Sequence, residues 1–156
     1  MSTLTAKLKS DINWLNWLII LLTVSGLGIS AYLMWGYTVP GATLSCGGLS
    51  GCDTVKDSIY ANLLGIPLPV IGMISYLTIL ILALLHRHFV ARQTNGSAYT
   101  ALAIFGISLT GVLYSAYLTY IELFVIEAIC RWCVASAVIM VAIFILSTLS
   151  LYSERE

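Results

Sequence analysis

Four long apolar stretches without any Asp, Glu, Lys or Arg constrain this chain more than any other feature. They are residues 14–35, 67–85, 99–121 and 134–152. A helix needs about 20 apolar residues to cross a hydrocarbon core about 30 Å thick, because each residue adds about 1.5 Å. The sequence therefore predicts an all-α integral membrane protein, a four-helix bundle that forms a single transmembrane domain over residues 1–156.

The amino-acid composition also indicates that the chain lies in a lipid bilayer. Charged residues make up 9% of the sequence, against about 25% in an ordinary soluble domain. Seven basic residues balance seven acidic ones, so no strong field attracts nucleic acid. Lys7 and Lys9 precede the first stretch as in a signal peptide, but its apolar run exceeds the usual length of about 7–15 residues and no Ala-x-Ala site follows. We expect a membrane anchor there.

The distribution of basic residues predicts the orientation. Cytoplasmic loops of membrane proteins carry the excess of Lys and Arg. Four crossings put five basic residues on the side of both termini and leave two on the other side. The five are Lys7, Lys9, Arg87, Arg92 and Arg155, and the two are Lys56 and Arg131. We expect a multi-pass protein of the cell inner (plasma) membrane with cytoplasmic termini.

The outward side then carries a loop over residues 36–66 and a short turn over residues 122–132. The loop is about 30 residues long, a length at which structureless connections are usually functional. Residues 53–64 predict a short amphipathic interfacial helix, which Gly65 and the prolines that follow should end. At the other end of the chain, residues 1–13 are expected to fray.

All four cysteines of the chain fall on this outward side, where the periplasm or exterior permits disulfides. Cys130 and Cys133 form Cys-Arg-Trp-Cys at the start of the last span. The positive end of that helix and the guanidinium of Arg131 should favour the reactive thiolate. This spacing predicts a redox pair; a structural disulfide and unpaired buried cysteines are the alternatives.

Cys46 and Cys52 flank a pliable segment, Gly-Gly-Leu-Ser-Gly. The pair either pins an exposed loop or exchanges with Cys130, because thiol–disulfide exchange requires one pair to move. Four cysteines also suit a tetrahedral zinc site, but a pliable glycine loop and an oxidising exterior disfavour it, so we expect no metal.

We expect no catalytic role for the two histidines or for the carboxylates on the outward side. His86 and His88 fall in the basic inward loop, predicted over residues 86–98, away from the thiols. Four outward carboxylates are expected to form a solvated membrane-surface face. They are Asp53, Asp57, Glu122 and Glu127.

Several motifs together resemble one known family. Ser58 follows the loop pair, Gly-Ile-Pro-Leu-Pro-Val-Ile-Gly begins at Gly65 with Tyr76 beyond it, and Cys130-Arg-Trp-Cys133 opens the last helix. Over residues 18–147 this combination resembles the bacterial branch of the vitamin K epoxide reductase family, without the thioredoxin-like domain that is fused to many bacterial relatives.

The resemblance implies a membrane thiol:quinone oxidoreductase that drives disulfide formation. Cys46 would take electrons from an exported thioredoxin-like partner, Cys52 would pass them to Cys130, and Cys133 would face the quinone. The acceptor would be ubiquinone, menaquinone or a phylloquinone-like molecule in the membrane lipid. The implied quinone-site residues are Cys133, Ser58, Leu68 and Ala137.

Three alternatives stay open at this stage. Vitamin K epoxide or quinone reduction is one, although vertebrate members carry an asparagine and a tyrosine where Leu68 and Ala137 stand here. The bacterial disulfide-bond formation protein B family has the same chemistry, but its two cysteine pairs occur in the reverse order. The third is a non-enzymatic membrane scaffold whose disulfides only staple the outer face.

Overall fold

Five α-helices make up most of the residues that the computed structural model describes, namely 2–39, 51–63, 65–92 and 96–155. The helices are α1 Ser2–Thr38, α2 Gly51–Lys56, α3 Leu68–Arg92, α4 Gly96–Ile121 and α5 Arg131–Arg155. Between α2 and α3 lie a 3₁₀ turn, Ile59–Ala61, and two short strands, β1 Asn62–Leu63 and β2 Ile66–Pro67. A π-helical turn, Glu122–Ile126, extends α4.

Four of these helices are long and apolar enough to cross a membrane, which confirms the predicted all-α transmembrane fold. Each of these four helices is longer than the apolar stretch from which it was predicted. α1 begins at Ser2, so the lead that was expected to fray is helical, and α3 continues to Arg92, so the inward loop is shorter than the predicted residues 86–98. Residues 86–92 contain neither glycine nor proline, so nothing in this polar segment stops the helix.

The four spans form a square in which α1 packs against α3 and α5, and α4 packs against the same two helices. Asn16 and His86 lie together at one end of the bundle, where the Asn16 amide donates to the Ala83 carbonyl over 3.1 Å. Tyr37 and Cys133 lie at the opposite end. Consecutive spans therefore run antiparallel, and the start of α1 and the end of α5 share one end of the bundle.

Small residues allow the spans to approach closely. A methyl group on Gly26 of α1 would overlap the ring of Tyr76 on α3. A methyl on Gly111 of α4 would come within 2.9 Å of Met140 on α5. Lipid is as apolar as the side chains, so close packing of this kind is a main source of helix association in a membrane.

Replacing Gly26 by alanine is expected to destabilise the bundle by about 1–3 kcal/mol, the usual cost of overpacking a filled core. Gly28, two residues along α1, has open space around its Cα, so Gly28→Ala is the matched control. Thermal unfolding in detergent, followed by tryptophan fluorescence, should show a lower midpoint for Gly26→Ala alone. Equal midpoints for the two variants would contradict this packing.

The interfacial helix predicted over residues 53–64 is wrong in extent, because α2 ends at Lys56. The Ser58 hydroxyl donates to the Val55 carbonyl over 2.7 Å, and the Ser58 N–H also points to that oxygen. A continuing α-helix would give this carbonyl to the N–H four residues on. Beyond the 3₁₀ turn, β1 and β2 pair around Gly65, whose φ of 84° suits glycine.

Candidate active site

Cys130 occupies the position just before α5 and caps that helix with its sulfur. The N–H of Cys133 donates to Cys130 Sγ over 3.3 Å, which is the bond that a helix-capping side chain accepts. The Cys133 thiol donates to the same sulfur over 2.7 Å, and both cysteines are free thiols. A disulfide bond is about 2.05 Å long, so the pair needs only a small movement to close.

This geometry changes the acidity of one thiol. The hydrogen bond from the Cys133 thiol lowers the pKa of Cys130, and the backbone N–H groups of the first helical turn contribute in the same direction. Burial and the nearby carboxylate of Glu122 oppose the change. Cys130 therefore forms a thiolate at lower pH than an ordinary cysteine, and the thiolate is the nucleophilic form.

Cys52, in the first turn of α2, lies against the same centre. It is disulfide-bonded and 1% exposed, and it forms a buried cluster with Leu33 and Cys130. Cys46, the other cysteine of the predicted loop pair, lies outside the described residues. The two remaining predicted redox cysteines, Cys130 and Cys133, thus meet Cys52 at one end of the bundle.

Gly51 allows α2 to approach the segment before α5 closely. A methyl group on Gly51, which precedes Cys52, would overlap the backbone carbonyl of Ile129, which precedes Cys130. The two cysteine-bearing segments are therefore in backbone contact. The Tyr37 hydroxyl donates to the Lys56 carbonyl over 3.4 Å and ties the end of α2 to α1. Tertiary contacts thus hold the short helix over the start of α5.

A cavity of about 160 Å³ lies between the four spans, beneath this cysteine cluster. The residues implied for the quinone site all line it: Cys133, Ser58, Leu68 and Ala137. Cys52 and Cys130 line it as well. Most of its wall is hydrocarbon, contributed for example by Ile71 and Met140. The hydroxyl of Ser58 is engaged in the bond to Val55 that ends α2.

Tyr76 forms part of the cavity wall away from the loop. Its ring is 1% exposed and lies against Gly26, and its hydroxyl is 2.9 Å from both the carbonyl and the hydroxyl oxygen of Ser136. Ser136 follows Cys133 by one helical turn. Tyr76 therefore links α3 to the cysteine-bearing turn of α5.

Glu122 is the site residue that sequence reasoning missed. It was expected on a solvated face together with Asp57 and Glu127, and those two side chains are indeed exposed. Glu122 is only 5% exposed, lines the cavity and accepts the N–H of Cys130 at Oε2 over 3.2 Å. Its carboxyl group also lies close enough to the Cys133 thiol for the two groups to interact electrostatically.

A signal for Glu122 was present in the sequence. Glu122 interrupts an otherwise apolar run that continues to Ile126, and a carboxylate inside such a run is by default a candidate functional residue. The π-helical turn that begins at Glu122 widens the end of α4, and turns of this type occur frequently at functional sites. The predicted solvated role of Glu122 is therefore wrong.

No group of three or more His, Cys, Asp or Glu suited to hold a metal ion occurs within the described residues. The arrangement of the described site residues supports thiol–disulfide chemistry. A capped thiolate, a second thiol, a disulfide-bonded cysteine and a buried carboxylate meet at the wall of an apolar cavity.

The model of the vitamin K epoxide reductase family matches residues 17–148 of the chain. The match spans the four membrane helices up to the last turns of α5, and it includes all four cysteines. The chain therefore belongs to the vitamin K epoxide reductase family and is a multi-pass membrane oxidoreductase of the kind that this family comprises.

Proposed function

We propose that this protein oxidises an exported thioredoxin-like protein and reduces a membrane quinone, so that the partner can introduce disulfides into other proteins. One observation carries the proposal. Cys130, Cys133 and Cys52 converge on the wall of an apolar cavity inside a membrane-spanning bundle. That arrangement places a dithiol where a lipid-soluble oxidant can reach it.

The cavity suits the head group of a quinone. Its volume is about 160 Å³, and an engineered apolar cavity of about 150 Å³ binds benzene. The wall is mostly apolar, and the Tyr114 and Thr119 side chains bring hydroxyl groups to it. Pockets of this kind, apolar with a few polar groups, are typical of cofactor and small-molecule sites. When bound there, a quinone would supply the two-electron acceptor.

The electrons would enter through the loop pair. Cys46 and Cys52 would form the pair that exchanges with the partner protein. A reduced partner protein would open the Cys46–Cys52 bond, and the Cys52 thiolate would then attack a Cys130–Cys133 disulfide at Cys130. Cys46 would resolve the mixed disulfide, leaving Cys130 and Cys133 as thiols. Two electrons thereby move from the outer dithiol to the inner pair.

After this transfer, Cys130 and Cys133 would be thiols that need an oxidant. Their reoxidation requires an acceptor with a more positive potential than the partner, which for a strongly oxidising carrier is about −120 mV. A membrane quinone meets this requirement. The remaining task of the chain is to hold the two sulfurs together and to control their protons.

The proposed orientation follows from the same geometry. The cysteine cluster and the start of α1 lie at opposite ends of the bundle, and basic residues are more numerous at the second end. We therefore propose that the cluster faces the periplasm or exterior and that both termini are cytoplasmic in an inner (plasma) membrane. An exported thiol protein would meet the cluster there. Cytoplasmic termini also follow from the positive-inside rule.

Epoxide reduction is not proposed for this chain. Leu68 and Ala137 both line the cavity with hydrocarbon, so neither side chain can donate a hydrogen bond to a bound ring. Reduction of a quinone by a dithiol needs no oxygen atom to be removed. The apolar lining therefore favours the quinone reaction.

Anaerobic turnover of the purified protein tests the proposal. Reduced thioredoxin-like protein would be mixed with ubiquinone or menaquinone in detergent, and quinone absorbance would be followed. We expect one quinone reduced for each partner dithiol oxidised. A protein that reduces neither quinone, although its own cysteines are fully reduced, contradicts the proposed function.

A further inference from the structure

Resting on the proposed function, we infer that Glu122 is a catalytic residue that accepts the proton of the Cys133 thiol while the inner cysteine pair is oxidised. The Glu122 side chain is 5% exposed, lies at the cavity wall and accepts the N–H of Cys130 at Oε2.

The backbone holds Glu122 in this position. Its carbonyl oxygen accepts the N–H of Ala128 over 3.1 Å and the N–H of Glu127, which closes the turn at the end of α4. The chain then leads directly into Cys130, whose N–H donates to Glu122 Oε2. Glu122 thus binds the turn through its carbonyl oxygen and binds Cys130 through its carboxylate. The carboxylate lies beside the sulfurs because the turn places it there.

Oxidation of the inner cysteine pair requires a proton acceptor. In the reduced pair, the Cys133 thiol donates its proton toward the Cys130 sulfur, so the pair holds one shared proton when Cys130 is a thiolate. Formation of the sulfur–sulfur bond removes that proton from Cys133. Cys130 cannot keep it, because its sulfur becomes part of the disulfide. The buried Glu122 carboxylate accepts the N–H of Cys130 and lines the same cavity as Cys133, so it can take the proton.

The S–H bond of Cys133 breaks, its proton moves to Glu122, and the bond between the sulfurs of Cys130 and Cys133 forms. The pair loses two electrons, and a quinone gains them. The quinone also gains two protons, one that Glu122 releases and one from solution, and becomes a hydroquinone. Glu122 returns to a carboxylate and is ready for the next pair of electrons.

Glu122→Gln separates this role from a structural one. The glutamine carbonyl can still accept the N–H of Cys130, but the amide cannot take up a proton. We expect single-turnover reduction of a short-chain ubiquinone by the pre-reduced full chain to slow by about 10²-fold near neutral pH, within the range for loss of a general base. The rate of the variant should rise with pH, because hydroxide replaces the carboxylate as the acceptor.

Alkylation of Cys130 by iodoacetamide, assigned by mass spectrometry, gives a second readout that needs no quinone. The negative charge of Glu122 raises the pKa of Cys130, so its removal should enlarge the thiolate fraction at any pH below that pKa. Alkylation should therefore be as fast as in the wild type or faster. Loss of a merely structural residue would disorder the pair and would not produce slow quinone reduction together with undiminished thiol reactivity.

The matched control is Glu127→Gln in the same turn, where the carboxylate is exposed. It should leave both measurements unchanged. Glu122→Asp keeps a carboxylate and should keep the pH profile of the wild type at a reduced rate, which also serves if the glutamine variant folds poorly. The other titratable groups that line the cavity remain the same in all variants: Cys52, Lys56, Tyr37, Tyr60, Tyr76 and Tyr114.

Each outcome decides between the two claims. If the wild type reduces quinone and Glu122→Gln does so at the same rate, the inference about Glu122 is wrong and the proposed function stands. Slowing of both quinone reduction and alkylation also overturns it, because a structural role then explains the loss. If the wild type reduces no quinone, the proposed function fails, and the inference fails with it.

Discussion

Replacing Cys133 by alanine is expected to reduce quinone-dependent oxidation of a thioredoxin-like partner to the level seen without the protein. The remaining Cys130 could still form a mixed disulfide with the loop pair, but it could not form the inner disulfide that releases two electrons to a quinone. The measurement is the quinone absorbance under anaerobic turnover. Quinone reduction at the wild-type rate would favour a scaffold in which the cysteines are only structural.

The neighbouring residue on α5 provides the control for this variant. Val134 is exposed on the outer face of the helix, so Val134→Ala removes a similar volume without touching the sulfurs. Its turnover should match the wild type. The Cys133→Ala variant should also lose the acidity of Cys130, because the thiol that donates to that sulfur is gone. Its alkylation by iodoacetamide should move to higher pH.

Cys52→Ser is expected to stop turnover with the partner protein and yet to preserve quinone reduction by a small thiol reagent. The partner can still reach Cys46, but no sulfur remains at position 52 to carry electrons to Cys130. Dithiothreitol is small enough to reduce the inner pair directly and bypasses the missing step. The measurement compares quinone reduction driven by the partner with that driven by dithiothreitol.

Thr54→Ser is a conservative control for this position, since Thr54 lies on the exposed side of the same short helix. It should support both reactions. A Cys52→Ser protein that turns over the partner at the wild-type rate would contradict the relay. Loss of both reactions would mean that Cys52 is needed to build the site and not to carry electrons.

The transmembrane architecture was accessible from the sequence, because the length of an uncharged apolar run is a local property. The four predicted spans correspond to α1, α3, α4 and α5, and only their ends differ. The ends differ because polar residues can continue a helix beyond the hydrocarbon core.

The structure of the outer loop was harder to predict from the sequence. The amphipathic spacing of residues 53–64 favoured one helix, but the Ser58 hydroxyl competes for the Val55 carbonyl and the helix ends at Lys56. The chain then turns through β1 and β2 around Gly65. A periodic pattern cannot show whether one serine side chain will take a backbone carbonyl, since the competing hydrogen bonds differ by little free energy.

Glu122 and Glu127 show most clearly what sequence alone could not decide. Both are glutamates in the turn before Cys130, and both were expected in water. The π-helical turn directs Glu122 into the bundle, whereas Glu127, with a φ of 52°, remains exposed. Which of the two side chains is buried depends on how the turn closes against α5, and that is a property of the packed structure.

The sequence by itself determined the four crossings and the position of Cys130 and Cys133 at the start of the last helix. The length of an apolar run and the spacing of two cysteines are local properties of a sequence. Only the tertiary structure decided that Cys52 reaches Cys130, that Gly51 allows this contact, and that Glu122 is buried beside both sulfurs of the inner pair. The contacts of Gly51 and Cys52 join segments far apart along the chain, and the burial of Glu122 depends on how its turn closes against α5, so all of them require the packed bundle.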